Sequence, residues 1–296
     1  MGIHEKFEQI IKNFVKWAKN VDDIRAAIII GSRARKDHPA DEWADLDILV
    51  ITTNPSYYLS SAEWVQNVGI QMITFIEQTP GGDLERRVLF EGMLDVDFAI
   101  IPKERILEIK KKIEESLEIR FALQDFFGRG IRILIDKDNI LDQIQEILTT
   151  FQTPSKPPPT EQEFYQVIND YLYHSVFTAK HLRRGEHWWA KMCLDCHMQR
   201  LLLEIIQWHA LVSFGWNHDI WFRGRFLEEW ADTRVVESLK MVFAHYNPVD
   251  IRRALLASME LFHLLVTEIS LELRFSYSSE NYHTIQNWIR DLLPDS

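Results

Sequence analysis

The sequence predicts an α+β protein in which a mixed β-sheet domain flanked by helices is followed by an α-helical bundle. Strand and helix patterns alternate along the first half, whereas nearly all of the sequence beyond residue 161 has helical periodicity. Between them, TPSKPPPT cannot continue a helix, because each proline removes an amide donor and pushes the preceding residue toward an extended conformation. We therefore predict a sheet domain over residues 1–152, a proline-rich linker over 153–160 and a helical domain over 161–296.

The elements of the sheet domain follow from short apolar runs separated by polar turns. Apolar residues at spacings of three and four indicate helices, and runs bounded by turn residues are typical of strands. In chain order we predict an amphipathic helix from Ile3 to Trp17, strands AAIII (26–30), LDILVI (46–51) and IQMITFI (70–76), a hairpin of RRVLFE (86–91) and LDVDFAII (94–101) around Gly92-Met93, a helix over 103–120, strand GIRILID (130–136) and a closing helix over 139–150.

Helical periodicity continues through the second half. The predicted helices span 161–184, 187–214, 225–245, 249–275 and 281–293. The segment CLDCH has the spacing of a c-type haem attachment site, but it lies within the second helix among apolar residues. We therefore expect Cys193 and Cys196 to be buried free thiols, since free cysteine is among the most buried residue types.

Composition and charge narrow the class of protein. The hydrophobic content is 46% and the charged content 26%, which is typical of a soluble globular chain. No run approaches the roughly 18 uninterrupted apolar residues of a membrane helix, and the N-terminus has an amphipathic pattern, not that of a signal peptide. We expect a cytoplasmic protein that does not bind a membrane. The net charge of −11 argues against a protein that binds nucleic acid through its phosphates, and it favours a cationic or metal-chelated partner.

The stretch GSRARKDHPADEWADLDILV contains the first candidate site. Asp45 and Asp47 point to the same side of a strand, because side chains at i and i+2 share a face. Two adjacent like charges are tolerable on a solvated face or around a divalent cation, and magnesium takes carboxylate oxygens together with substrate phosphates. Upstream, Gly31 permits close approach of the backbone, Ser32 adds a hydroxyl donor, and Arg33 can offset phosphate charge. This context favours the magnesium interpretation.

A third acid follows on a later strand. LDVDFAII places Asp95 and Asp97 on one face, and either could complete a metal site if the two strands are neighbours. Two metal ions about 4 Å apart on such carboxylates stabilise the attacking and leaving oxygens of a phosphoryl displacement. A carboxylate near the acceptor hydroxyl can also remove its proton.

Gly-Ser, then D-x-D, then a later Asp resembles the signature of the DNA polymerase beta-like nucleotidyltransferase superfamily. The resemblance narrows to the aminoglycoside 6-adenylyltransferases, the streptomycin-modifying group. Their segments are similar in order and spacing to GSRARKDHPADEWADLDILV, VLFEGMLDVDFAIIP, LIDKDN, PPTEQEF and KHLRRGEHWWA. The similarity covers most of the chain to about residue 230.

The resemblance implies a polymerase beta-like Mg-ATP domain over residues 1–152, a helical acceptor-binding domain over 161–296, two magnesium ions and ATP as co-substrate. It also implies roles for individual residues. These are magnesium binding by Asp45 and Asp47, contacts of Gly31, Ser32 and Arg33 with the ATP triphosphate, and a phosphate contact of Lys180. For Lys180 an ordinary solvated helix face is the alternative. Asp97 matches the third carboxylate better than Asp95, either as a metal ligand or as the general base, and we favour the base.

The resulting hypothesis is transfer of AMP from Mg-ATP to a hydroxyl of an aminoglycoside, with release of pyrophosphate and resistance to the antibiotic. One alternative is a nucleotidyltransferase acting on another small-molecule or protein hydroxyl. Another is a nucleotide-binding or interaction protein that keeps the fold without turnover. Neither a P-loop nor a G-x-G-x-x-G motif occurs in the sequence, which argues against P-loop and dinucleotide-binding enzymes.

Overall fold

The computed structural model describes residues 2–293 apart from 80–81, 113–115, 118, 122, 124–127 and 143–156. The chain divides into two compact units, Met1–Pro154 and Ser155–Ser296, called here the sheet unit and the helical unit. The first contains a six-stranded mixed sheet with flanking helices and the second is helical, which confirms the predicted α+β class. Of the predicted linker, 153–156 lie outside the described residues, and 157–160 have no regular secondary structure.

Among the residues that the structure describes, the sheet unit contains six strands and three α-helices. In chain order these are α1 (Ile3–Ala18), β1 (Ile24–Ile30), β2 (Leu46–Thr52), α2 (Pro55–Ser60), β3 (Gln71–Gln78), β4 (Leu84–Phe90), β5 (Leu94–Pro102), α3 (Lys103–Lys112) and β6 (Arg132–Asp136). The strand order is β3-β4-β5-β2-β1-β6, with β2 and β5 parallel and all other neighbours antiparallel. The sequence pattern missed the short helix α2. Of the helix predicted over 103–120, α3 covers Lys103–Lys112, and residues 113–115 and 118 lie outside the described residues, as does most of the helix predicted over 139–150.

Strand β2 is buried on both faces over most of its length. One face packs into a core beneath α1, and the other contacts a smaller apolar cluster that includes Ile106 of α3. The residues on the first face are Leu46, Ile48 and Val50, and those on the second are Leu49 and Ile51. Asp47 belongs to the second face by alternation. The start of β2 therefore carries a carboxylate on a face that is apolar further along the strand.

The helical unit forms its own core. Its elements are α4 (Glu161–Arg183), α5 (His187–Met192), a π-helical segment (Cys193–Met198), α6 (Gln199–Phe214), α7 (Leu227–Trp230), α8 (Thr233–Val242), α9 (Pro248–Leu273) and α10 (Glu280–Leu292). Prediction of one helix over 225–245 is wrong. The chain is extended at Ala231, and the Asp232 side chain then accepts a hydrogen bond from the Arg234 amide, so a new helix begins there.

Two further expectations concern burial in the helical unit. Helix α9 is, in the described part of the chain, the one helix long and apolar enough to span a membrane; 56% of its most apolar window is buried. Its buried side chains belong to the core of the helical unit, as in the central helix of a bundle. Cys193 is buried as expected, whereas Cys196 is exposed, because only one side of the π-helical segment packs against the core.

Candidate active site

Three aspartates converge at the start of β2. The parallel register of β2 and β5 places Asp47 directly opposite Asp97. Asp45 precedes the strand by one residue and lies on the same side as Asp47. One carboxylate oxygen from each of the three lies within 4.8 Å of the others. We call these residues the aspartate cluster. Their oxygen donors and spacing suit a divalent cation that keeps part of its water shell. Asp95 comes one residue before Val96, the partner of the first residue of β2; it pairs with Leu89 of β4 and is exposed.

Gly31 makes room for the aspartate cluster. Strand β1 ends at Ile30, which pairs with Asp47, and the chain then enters a 3₁₀ turn over Gly31–Arg33. Gly31 has φ +70°, and a Cβ atom there would lie 2.4 Å from the Asp47 Oδ2 atom. Any side chain would displace the Asp47 carboxylate as well as strain the backbone. The Gly-Ser pattern is therefore explained by close approach of the backbone to an acid.

Ser32 is buried beside this turn. Its backbone carbonyl accepts a hydrogen bond of 2.9 Å from the Ala40 amide. Its hydroxyl oxygen is buried and has no hydrogen-bond partner among the residues that the structure describes. A buried hydroxyl without a partner costs free energy. A phosphate oxygen of a bound nucleotide is the kind of acceptor that would satisfy it.

Arg33 fixes the segment that leads into β2. Its Nε donates to the Asp45 carbonyl oxygen at 2.8 Å and its Nη2 to the Ala44 carbonyl oxygen at 2.6 Å. The guanidinium carbon also lies 3.7 Å from the centre of the Phe7 ring on α1. The planar guanidinium group thus holds the backbone before β2 through two carbonyl oxygens and packs on an aromatic ring, which positions the aspartate cluster. Contact of Arg33 with the ATP triphosphate stays a prediction.

The surroundings of Asp97 shift the pKa of its carboxyl group. The pKa of Asp97 is raised to about 6, mainly by burial; Arg87 opposes the rise, and the charges of Glu85, Asp45 and Asp95 add to it. The Arg87 Nη2 lies 3.5 Å from the Asp97 Oδ2. A carboxyl group with this pKa can exchange a proton near neutral pH. A bound cation would instead favour its ionised form.

Arg87 and Glu85 of β4 complete the surroundings of Asp97. The antiparallel register of β4 and β5 sets Arg87 opposite Asp97, and Glu85 shares its face of the sheet. The Arg87 Nε lies 2.8 Å from an oxygen of Glu85 and 2.8 Å from an oxygen of Glu77 on β3. Reasoning from the sequence missed these residues. The charged residues of LERR (84–87) were the available signal, but they do not show which strand β4 pairs with.

Comparison with known proteins identifies the family. A family model described as streptomycin adenylyltransferase matches residues 5–292. The chain belongs to this family. Two relatives, both aminoglycoside 6-adenylyltransferases, come from Bacillus subtilis (22% identical, covering 91% of this chain and 92% of the relative) and Staphylococcus aureus (24% identical, covering 96% and 98%). A crystal structure of an aminoglycoside 6-adenyltransferase from Bacillus subtilis is 17% identical over 97% of both chains, with a TM-score of 0.44.

Membership of the streptomycin adenylyltransferase family confirms two predictions, the family resemblance and the class of enzyme, a nucleotidyltransferase. The roles of single residues stay predictions. Lys180 lies in the helical unit on α4, where it is exposed and its ammonium is 5.9 Å from the centre of the Trp288 ring. This cation–π distance is compatible with a solvated helix face as well as with a phosphate contact.

Proposed function

We propose that this chain transfers AMP from Mg-ATP to a hydroxyl group of an aminoglycoside and releases pyrophosphate. The observation that carries the proposal is the aspartate cluster, set directly beside the Gly31–Arg33 turn in a chain of the streptomycin adenylyltransferase family. The names of the relatives support an aminoglycoside as the acceptor. The excess of acidic residues, with a net charge of −11, suits a polycationic acceptor of this kind.

The residues of the site have separate roles in the proposed reaction. Asp45 and Asp47 would hold magnesium, which when bound neutralises phosphate charge and stabilises the attacking and leaving oxygens. The Ser32 hydroxyl and the amides of the turn would donate hydrogen bonds to phosphate oxygens. The acceptor oxygen then forms a bond to the α-phosphorus, and the bond from that phosphorus to the bridging oxygen breaks. Pyrophosphate leaves with the electron pair, and the hydroxyl proton passes to a base.

Asp97 is the residue that we propose as the base. A base must be ionised to accept a proton, so kcat/KM should rise with pH through about 6, the pKa to which burial raises this carboxyl group. If Asp97 acts as a metal ligand instead, magnesium competes with the proton for the carboxylate. Raising the magnesium concentration would then move the acid limb to lower pH. The pH dependence of kcat/KM at two magnesium concentrations separates the two roles.

The direct test is incubation with Mg-ATP and streptomycin, followed by mass measurement of the antibiotic. We expect a gain of one AMP and release of one pyrophosphate. Asp45→Asn and Asp47→Asn should abolish AMP transfer and pyrophosphate release. Asp95→Asn changes an exposed acid level with the residue before β2 and should retain activity. Unchanged transfer by Asp45→Asn and Asp47→Asn would show that the metal assignment is wrong.

The same assay distinguishes the alternatives. Pyrophosphate release with other alcohols or with protein hydroxyls, but not with aminoglycosides, would favour a different acceptor. Magnesium-dependent ATP binding without turnover on any acceptor would favour a non-catalytic nucleotide-binding protein. A cytoplasmic location and the absence of binding to membranes or nucleic acid remain predictions from composition and charge.

A further inference from the structure

A second group of metal-ligating side chains lies in the helical unit, well away in sequence from the aspartate cluster. Asp170, His174 and His197 each offer one donor atom, and the three atoms lie within 4.8 Å of one another. We call them the histidine cluster. We propose that they bind a divalent transition-metal ion of the Zn²⁺ type. The proposal is independent of adenylyl transfer.

Two helical elements supply the three donors. Asp170 and His174 are four residues apart on α4, so they lie on the same face one turn apart. His197 comes from the π-helical segment between α5 and α6. Single π-helical turns are rare and often occur at functional sites. Here the π turn presents His197 to α4, so two separate helical elements meet at one point.

The donor atoms converge on a single oxygen. The His174 Nδ1 lies 2.6 Å and the His197 Nε2 lies 2.8 Å from the Asp170 Oδ1. The centres of the two imidazole rings are 4.0 Å apart. The side chains of Asp170, His174 and His197 keep 26%, 28% and 33% of their surface exposed. An ion could therefore reach the donors from solvent without unfolding the bundle.

The chemistry of this donor set selects the kind of metal. Two imidazole nitrogens and one carboxylate oxygen are the ligands of many zinc sites that keep an open position. Magnesium prefers oxygen ligands alone and suits the aspartate cluster better. A tetrahedral zinc ion with bonds of about 2.0–2.1 Å holds its donors about 3.4 Å apart. The histidine cluster would thus have to widen by less than about 1 Å around Asp170.

Another histidine–carboxylate pair gives a matched control. The His245 Nδ1 lies 2.9 Å from the Asp250 Oδ2, a separation close to that of the histidine cluster, and the His245 side chain is 95% exposed. This pair belongs to neither metal-ligating group found in the described part of the chain. His245→Gln therefore removes an imidazole from the surface of the same unit without touching the histidine cluster.

The experiment titrates the metal-stripped full chain with Zn²⁺ by calorimetry in excess Mg²⁺, which occupies the aspartate cluster. We expect one zinc ion per chain, at least about tenfold weaker binding in His197→Gln and Asp170→Asn, and no change in His245→Gln or Asp97→Asn. Circular dichroism checks that each variant keeps its helices. X-ray absorption of the unmutated zinc complex should show two imidazole ligands, a result that does not depend on the folding of any variant. Absence of zinc binding, equal affinity in His197→Gln, or a zinc shell without imidazole would overturn the proposal.

Discussion

Replacing Asp97 with Asn should stabilise the sheet unit and abolish AMP transfer. Burial, with the charges of Glu85 and Asp45, raises the pKa of Asp97 from its usual 3.8 to about 6 although Arg87 opposes the shift. This difference corresponds to at most about 3 kcal/mol against the ionised form in the folded state. The side chain retains 14% exposure, so we discount the figure for solvent screening and expect about 1–2 kcal/mol.

The sign of the effect depends on pH. The pKa of Asp97 is higher in the folded state than in the unfolded state, so the penalty is absent below about pH 4 and complete above about pH 6. Asp97→Asn should therefore match the unmutated chain near pH 4 and be more stable by about 1–2 kcal/mol at pH 7.5. Arg87 keeps Glu85 and Glu77 as partners in the variant, so its own charge stays compensated.

The assay is urea unfolding of the metal-free chain between pH 4 and 7.5, with Asp95→Asn as a comparison; its effect should have the same sign but be much smaller, because the Asp95 charge is only a minor cause of the raised pKa of Asp97. AMP transfer should be lost in Asp97→Asn and retained by the unmutated chain. A variant less stable than the unmutated chain at pH 7.5 would refute the reasoning. The ion pair of Asp97 with Arg87 would then outweigh the cost of burial.

Three further substitutions test the turn before β2. Gly31→Ala places a Cβ atom 2.4 Å from the Asp47 oxygen and should lower AMP transfer by about a hundredfold or more; Gly82→Ala, also at positive φ but at an open position, should keep full activity in the same assay. Ser32→Ala removes a hydroxyl without a partner in the described part of the chain, so the free energy of unfolding in urea should not fall. The Kd for Mg-ATP measured by calorimetry should rise about three- to tenfold. Arg33→Lys keeps the charge but loses the planar fork, so it should lower the free energy of unfolding by about 1–2 kcal/mol, and stability equal to the unmutated chain would show that charge alone matters.

The sequence was most informative where the structural reason is local. Alternation along a strand was enough to set Asp45 and Asp47 on one side and the apolar residues of β2 on the other. The hairpin at Gly92-Met93 also forms as predicted, with both residues at positive φ. These features depend on neighbours within a few residues, so one sequence contains the information.

Features that depend on distant pairing were not predictable in the same way. The sequence places Arg33 beside the candidate site but does not show that its guanidinium donates to carbonyl oxygens twelve and eleven residues further along the chain. Arg87 acquires its relation to Asp97 only through the pairing of β4 with β5. The spacing of Asp170 and His174 was visible in the sequence, but the approach of His197 depends on a π-helical turn that no local pattern announces.

The register of β2 against β5 explains why an apolar core and an acidic site can share two strands. Asp47 and Asp97 are paired, and so are Ile48 and Phe98, whose side chains point into the core on the opposite face. A slip of one residue in either strand would turn its buried apolar residues to the other face and bring its aspartate into the core. Strand β2 is apolar on both faces further along, so the cost of a slip comes mainly from bringing the Asp47 carboxylate into the core beneath α1. The hydrophobic residues of β2 and β5 therefore fix the position of the two carboxylates, and substitutions in this core should disturb metal binding before they unfold the sheet.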